Sequence, residues 1–116
     1  MEKAVLYTRE PKGVTDFGES ITGQEIRLVN YCVENNIEVS RVYHDISIED
    51  ECQRTQFIRM LYDLANGAFE ADLCLFTSAE KLSEDFDEFF FYSRLLKSFG
   101  LQPMAIKPTQ VFIILM

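Results

Sequence analysis

The sequence predicts an α/β domain: three layers, a mostly parallel sheet with helices on both faces, and strands in the order 2-1-3-4 plus a further edge strand. Three observations carry that reading. Short, nearly continuous apolar runs at residues 4–7 and 71–77 have the character of strands covered on both faces. Other segments carry apolar residues at helical spacing, most clearly Phe57, Met60, Leu61 and Leu64. The two kinds of segment alternate as βαβαβαββ without repeats or an internal linker, and such alternation gives a parallel sheet flanked by helices. With 116 residues, the chain is read as a single domain, 1–116.

The first strand, centred on residues 4–7, delivers Arg9, Glu10 and Pro11 to its carboxyl end, where ligands sit in open α/β sheets. A polar, glycine-containing loop follows over residues 11–19. Thr22 and Glu25 then read as a capping box. Ile26, Val29 and Val33, widened by Leu28 and Cys32, form the apolar stripe of the first helix, which Asn35 and Asn36 end. Residues 37–43 read as the second strand, and the helix of Phe57 and Met60 closes at Gly67. Ser83 is placed to cap the third helix, with Glu84, Asp85 and Asp87 complementing its dipole. Phe86, Phe89, Phe90, Leu96 and Phe99 give that helix its apolar side, and Gly100 closes it. Residues 104–106 and 111–116 are the last two strands.

Charge narrows the function. Eleven Lys and Arg against nineteen Asp and Glu give −8, and the basic residues are scattered. Proteins that grip duplex DNA cluster their cations, so strong independent DNA binding is not expected. No apolar run is long enough to span a bilayer, and the N-terminus starts straight into a strand, which reads as neither a membrane span nor a signal peptide. Three cysteines with no paired spacing suit a reducing, cytoplasmic compartment. His44, with Asp45 and Cys52 nearby, lacks the ligand number and spacing of a metal site, and no cofactor is expected. Neither a Gly-x-Gly-x-x-Gly nor a Walker pattern follows the first strand.

Taken in order, the polar residues resemble the catalytic domain of serine recombinases of the resolvase/invertase kind. Tyr7-Thr8-Arg9-Glu10-Pro11 stands where that family has Tyr-x-Arg-x-Ser, and Gln24 lies at the following helix start. Val42-Tyr43-His44-Asp45 is similar to its Asp-containing turn, and Arg54 to its helix-opening arginine. Ala79-Glu80-Lys81-Leu82-Ser83-Glu84 lies where an acid and two arginines are expected. The resemblance covers residues 5 to about 106. It implies a resolvase-like fold, with the chain stopping before the dimerisation helix and DNA-binding segment.

The same resemblance implies that catalysis is lost. The family's serine attacks a DNA phosphate while arginines stabilise the developing charge. Pro11 offers no nucleophile, Lys81 has no bidentate fork, and Glu84 places a negative charge where an arginine should meet phosphate. The vestigial positions are Arg9, Pro11, Arg54, Glu80, Lys81 and Glu84. Thr8 faces away from Arg9 by strand alternation, and Thr15 and Ser20 are loop hydroxyls without a positioned base. Arg9 or Arg54 is expected either to pair with Glu80 or Glu84, or to bind an anion together with Lys81. The expected function is that of an inactive, mobile-element-derived relative linked to DNA recombination and acting through protein contacts. The alternatives are a small-anion or nucleotide-binding protein or enzyme using Arg9, Arg54 and Lys81, and a plain structural or oligomerisation module. Val111, Phe112, Ile113, Ile114, Leu115 and Met116 are too apolar for an open edge strand, and read as the surface of a homodimer or protein partner.

Overall fold

The computed structural model describes residues 1–10, 20–46, 54–83 and 85–107. The described elements are β1 (Lys3–Glu10), α1 (Ile21–Glu34), β2 (Glu38–Ile46), α2 (Thr55–Ala65), β3 (Leu73–Phe76), α3 (Ala79–Leu82), α4 (Phe86–Ser98) and β4 (Gln102–Ala105). The four strands form one parallel sheet in the order β2-β1-β3-β4, as expected. Residues 111–116, read as a further edge strand, lie outside the described residues, as do Pro11, Thr15, Cys52 and Glu84.

Each face of the sheet has its own core. Ala4 and Leu6 pack with Leu28 and Cys32 of α1, while Val5 and Tyr7 pack with Phe57 and Met60 of α2, Leu82 of α3, and Phe89 and Leu96 of α4. β1 is therefore covered on both sides, and burying an aliphatic side chain of this kind contributes about 1.5–3 kcal/mol.

One irregularity explains a sequence pattern that does not alternate. Val39 and Val42 of β2 are three residues apart yet pack into the same core, beside α1. The pairing of β1 with β2 slips between Ala4 and Val5, so that Ser40 is an extra residue on β2. A bulge of one residue restores the face that a period of two would reverse. The Ser40 hydroxyl donates to the Glu70 carbonyl at 2.6 Å.

Helix ends and faces differ in places from the expectation. Ser20, not Thr22, caps α1: its hydroxyl accepts from the Gly23 amide at 3.1 Å. The buried line of α1 is Gln24, Leu28 and Cys32, while Ile26 and Val33 are 55% and 75% exposed. An apolar stripe cannot reveal a buried line whose first member is polar. Asp85, not Ser83, caps α4, accepting from the Glu88 amide at 2.9 Å. Ser83 instead ends α3, a separate short helix, and accepts from the Asp85 amide. Phe86 and Phe99 are partly exposed, so the buried line of α4 is Phe89, Ser93 and Leu96. The predicted closures hold where the backbone turns left-handed: Asn36 at φ 58, Gly67 at φ 73 and Gly100 at φ 83.

Candidate functional site

At the carboxyl end of β1 the structure gathers Tyr7, Arg9, Gln24, Asp45, Arg54, Glu80 and Lys81, from four elements and the start of α2. The assembly begins with β1 itself. Alternation points Tyr7 and Arg9 toward the α2–α4 layer and Thr8 toward α1. The backbone of Arg9 is gripped by Gln24: the Arg9 amide donates to Oε1 at 3.2 Å, and Nε2 donates to the Arg9 carbonyl at 3.0 Å. This reciprocal pair, fully buried, does for the strand end what a neighbouring strand would do. It also accounts for a glutamine in the buried line of α1.

The Arg9 side chain turns to α3. Nε donates to the Lys81 carbonyl at 3.0 Å and Nη2 to the Glu80 carbonyl at 2.9 Å. These carbonyls belong to a four-residue helix, where backbone acceptors lack intrahelical partners. Glu80 and Lys81 thus meet Arg9 through their backbone, not through an ion pair. Glu80 is exposed and Lys81 half-buried.

Asp45, buried at the end of β2, organises the rest. Tyr7 Oη donates to Oδ2 at 2.8 Å, the Phe57 amide to the same oxygen at 3.0 Å, and the Gln56 amide to Oδ1 at 2.9 Å. Asp45 is thereby the cap of α2, supplied from another element, since Arg54 at the N-cap position makes no side-chain cap bond. A carboxylate here satisfies orphan amides and complements the helix dipole. Burial, followed by the Asp45 charge, pushes the Tyr7 phenol far above its ordinary range, so it stays a proton donor.

Arg54 is 7% exposed and lies 4.3 Å from the Tyr92 ring centroid and 5.9 Å from that of Phe57. Its Nη1 is buried without a hydrogen-bond partner among the described residues. The aromatic contacts hold the guanidinium in place, and that nitrogen keeps its capacity to donate.

On the other face, Thr8 bonds His44 Nδ1, and His44 Nε2 meets Glu25 Oε1 at 2.9 Å. Thr8 is fully buried and its hydroxyl is taken up by His44, so it is not free to act on a substrate. Ser20, the other hydroxyl weighed as a substitute nucleophile, is committed to its helix cap. His44 and Asp45 point to opposite faces and cannot chelate one ion together. Among the described residues no group of three or more His, Cys, Asp or Glu is placed to hold a metal, and no helix is long and apolar enough to cross a membrane.

Sequence reasoning found Arg9, Gln24, Asp45 and Arg54 through motif order. It missed Tyr7 as a partner of Asp45 and Tyr92 as the platform of Arg54. The one available signal was polar tips on aromatic residues at core positions.

No protein-family signature and no curated protein sequence matches this chain, but solved structures do. The C-terminal catalytic domain of ISC1926 TnpA, an IS607-like serine recombinase, superposes with a TM-score of 0.72 at 22% identity, over 97% of this chain and 75% of that one. The N-terminal catalytic domain of TP901-1 integrase gives 0.74 at 23%, over 90% and 77%. A resolvase family site-specific recombinase from Streptococcus pneumoniae gives 0.78 at 20%, over 91% and 72%. The chain has the fold of serine recombinase catalytic domains.

Proposed function

We propose that this chain is a catalytically inactive derivative of a serine recombinase catalytic domain, of mobile-element origin, that acts through protein–protein contacts in a process linked to DNA recombination. The observation that carries this reading is the sequence Arg9-Glu10-Pro11. The position two residues after the arginine has no hydroxyl, and the Arg9 guanidinium is turned into the carbonyls of Glu80 and Lys81. Glu84 and the net charge of −8 act in the same direction, opposing a DNA phosphate. In this reading the protein is cytoplasmic, needs no cofactor and binds duplex DNA weakly. Val111, Phe112, Ile113, Ile114, Leu115 and Met116 form its contact surface, most simply in a homodimer.

The test is covalent capture on supercoiled and nicked DNA. Neither the chain nor its Pro11→Ser variant should form a protein–DNA adduct, because the hydroxyl alone does not supply preorganised cations. An adduct with the unaltered chain would overturn inactivity. Light scattering across micromolar concentrations should show a dimer that Phe112→Lys with Ile114→Lys dissociates. A monodisperse, folded monomer before substitution would remove the contact surface.

A second reading has one specific observation in its favour. Arg54 is buried with Nη1 unpartnered among the described residues, which suits a small-anion or nucleotide site shared with Arg9 and Lys81. Phosphate, sulfate and nucleotides should then raise the melting temperature, and Arg54→Gln should abolish the rise.

A further inference from the structure

A second group of polar side chains lies away from the crevice, beside β4. A cleft of about 130 Å³ opens between α4 and the start of β4. Phe89, Phe90 and Pro103 supply its apolar wall, with Arg94 and Lys97 alongside. An apolar cavity of roughly 150 Å³ is enough for benzene, so this cleft has room for a single six-membered ring.

Two features point to an anionic ligand. Arg94 and Lys97, three residues apart on one face of α4, have no ion-pair partner among the described residues, in a chain with nineteen acids. Lys97 complements the end of the helix dipole, but Arg94, a turn earlier, has no such explanation. The second feature is Ser93 in the cleft lining, whose buried hydroxyl has no hydrogen-bond partner among the described residues. A native orphan of this kind is uncommon, and an absent partner at the site is one reason for it.

β4, the outer strand among the described residues, favours a compact ligand over an added strand. The amides of Gln102 and Ile106 donate across to Asp72 and Phe76, so the backbone of Pro103 faces away from β3. Proline has no amide hydrogen to offer an incoming strand there.

We propose that this cleft binds a small aromatic carboxylate. The ring lies against Phe89, Phe90 and Pro103, the carboxylate meets Arg94 and Lys97, and the Ser93 hydroxyl donates to it. The site is distinct from the crevice at the carboxyl end of β1 and does not depend on the function proposed for that crevice.

Titration of the full ¹⁵N-labelled chain with benzoate, benzamide and inorganic phosphate tests this. Benzoate should give saturable shifts at Phe90, Ser93, Arg94, Lys97 and Gln102. It should bind about tenfold more tightly than benzamide, the worth of one charge-assisted hydrogen bond. Arg94→Gln with Lys97→Gln should remove that preference. Ser93→Ala should weaken benzoate while leaving the rest of the spectrum in place. The proposal is overturned by the absence of saturable shifts up to the solubility limit of benzoate, or by equal binding of benzamide. It is also overturned if phosphate alone reproduces the shifts, which would make the cations a surface ion patch, or if Ser93→Ala leaves benzoate affinity unchanged.

Discussion

The crevice at the carboxyl end of β1 and the cleft beside α4 hold similar parts: cations, an aromatic wall and a buried hydroxyl. In the crevice nearly all are engaged. Arg9 is spent on the carbonyls of Glu80 and Lys81, the Tyr7 hydroxyl on Asp45, and Asp45 on two amides of α2 as well. Arg54 Nη1 is left without a partner among the described residues. In the cleft, Arg94, Lys97 and the Ser93 hydroxyl have no hydrogen-bond or ion-pair partner among the described residues. A polar group that has exchanged water for a protein partner rigidifies the fold, whereas one that has not is available to a ligand. In this molecule, Tyr7, Arg9 and Asp45 at the end of β1 are engaged chiefly in holding the fold.

That contrast makes removal of Asp45 the most damaging change. Asp45→Ala strands the Tyr7 hydroxyl and two amides of α2 beside two arginines, and should cost about 3–5 kcal/mol in urea unfolding. A loss below about 1 kcal/mol would mean that water replaces the carboxylate and that the crevice is open after all. Gln24→Ala should come next, at about 2 kcal/mol, because it leaves the amide and carbonyl of Arg9 unpaired in the core. Hydrogen exchange at the Arg9 amide should accelerate in the same variant.

A third expectation concerns acid. Asp63 accepts from Tyr43 at 2.7 Å and meets Arg59 and Arg41, and the Tyr43 hydrogen bond is the main reason its carboxyl lies below the usual range. A depressed carboxylate adds stability that is complete above the unfolded value of about 4 and lost as pH falls through the folded value. Asp63→Asn should flatten the decline in melting temperature below about pH 4.

The smallest effect belongs to the cleft. Ser93→Ala removes a buried hydroxyl that holds no partner, so stability should stay within about 0.5 kcal/mol or rise slightly. A loss of 1 kcal/mol or more, on the order of a lost hydrogen bond, would place an ordered partner on that hydroxyl and close the gap between the two regions.

The alternation of apolar runs at β1 and β3 with the helical pattern of Phe57, Met60 and Leu61 was enough to predict a parallel sheet in the order 2-1-3-4, because strands apolar on both faces need helices on both sides. Gly67, Gly100 and Asn36 were legible as helix ends for a similarly local reason: few other residues accept a left-handed backbone. The order of Arg9, Gln24, Asp45 and Arg54 located the crevice. Tertiary structure alone decided how those residues are used. Asp45 caps a helix that begins ten residues later, Gln24 completes the end of β1 from across the core, and Ser40 slips the register so that Val39 and Val42 share a face. Each depends on which backbone groups are left without partners once the sheet and helices have packed, and that is a property of the assembled chain rather than of any local stretch of sequence.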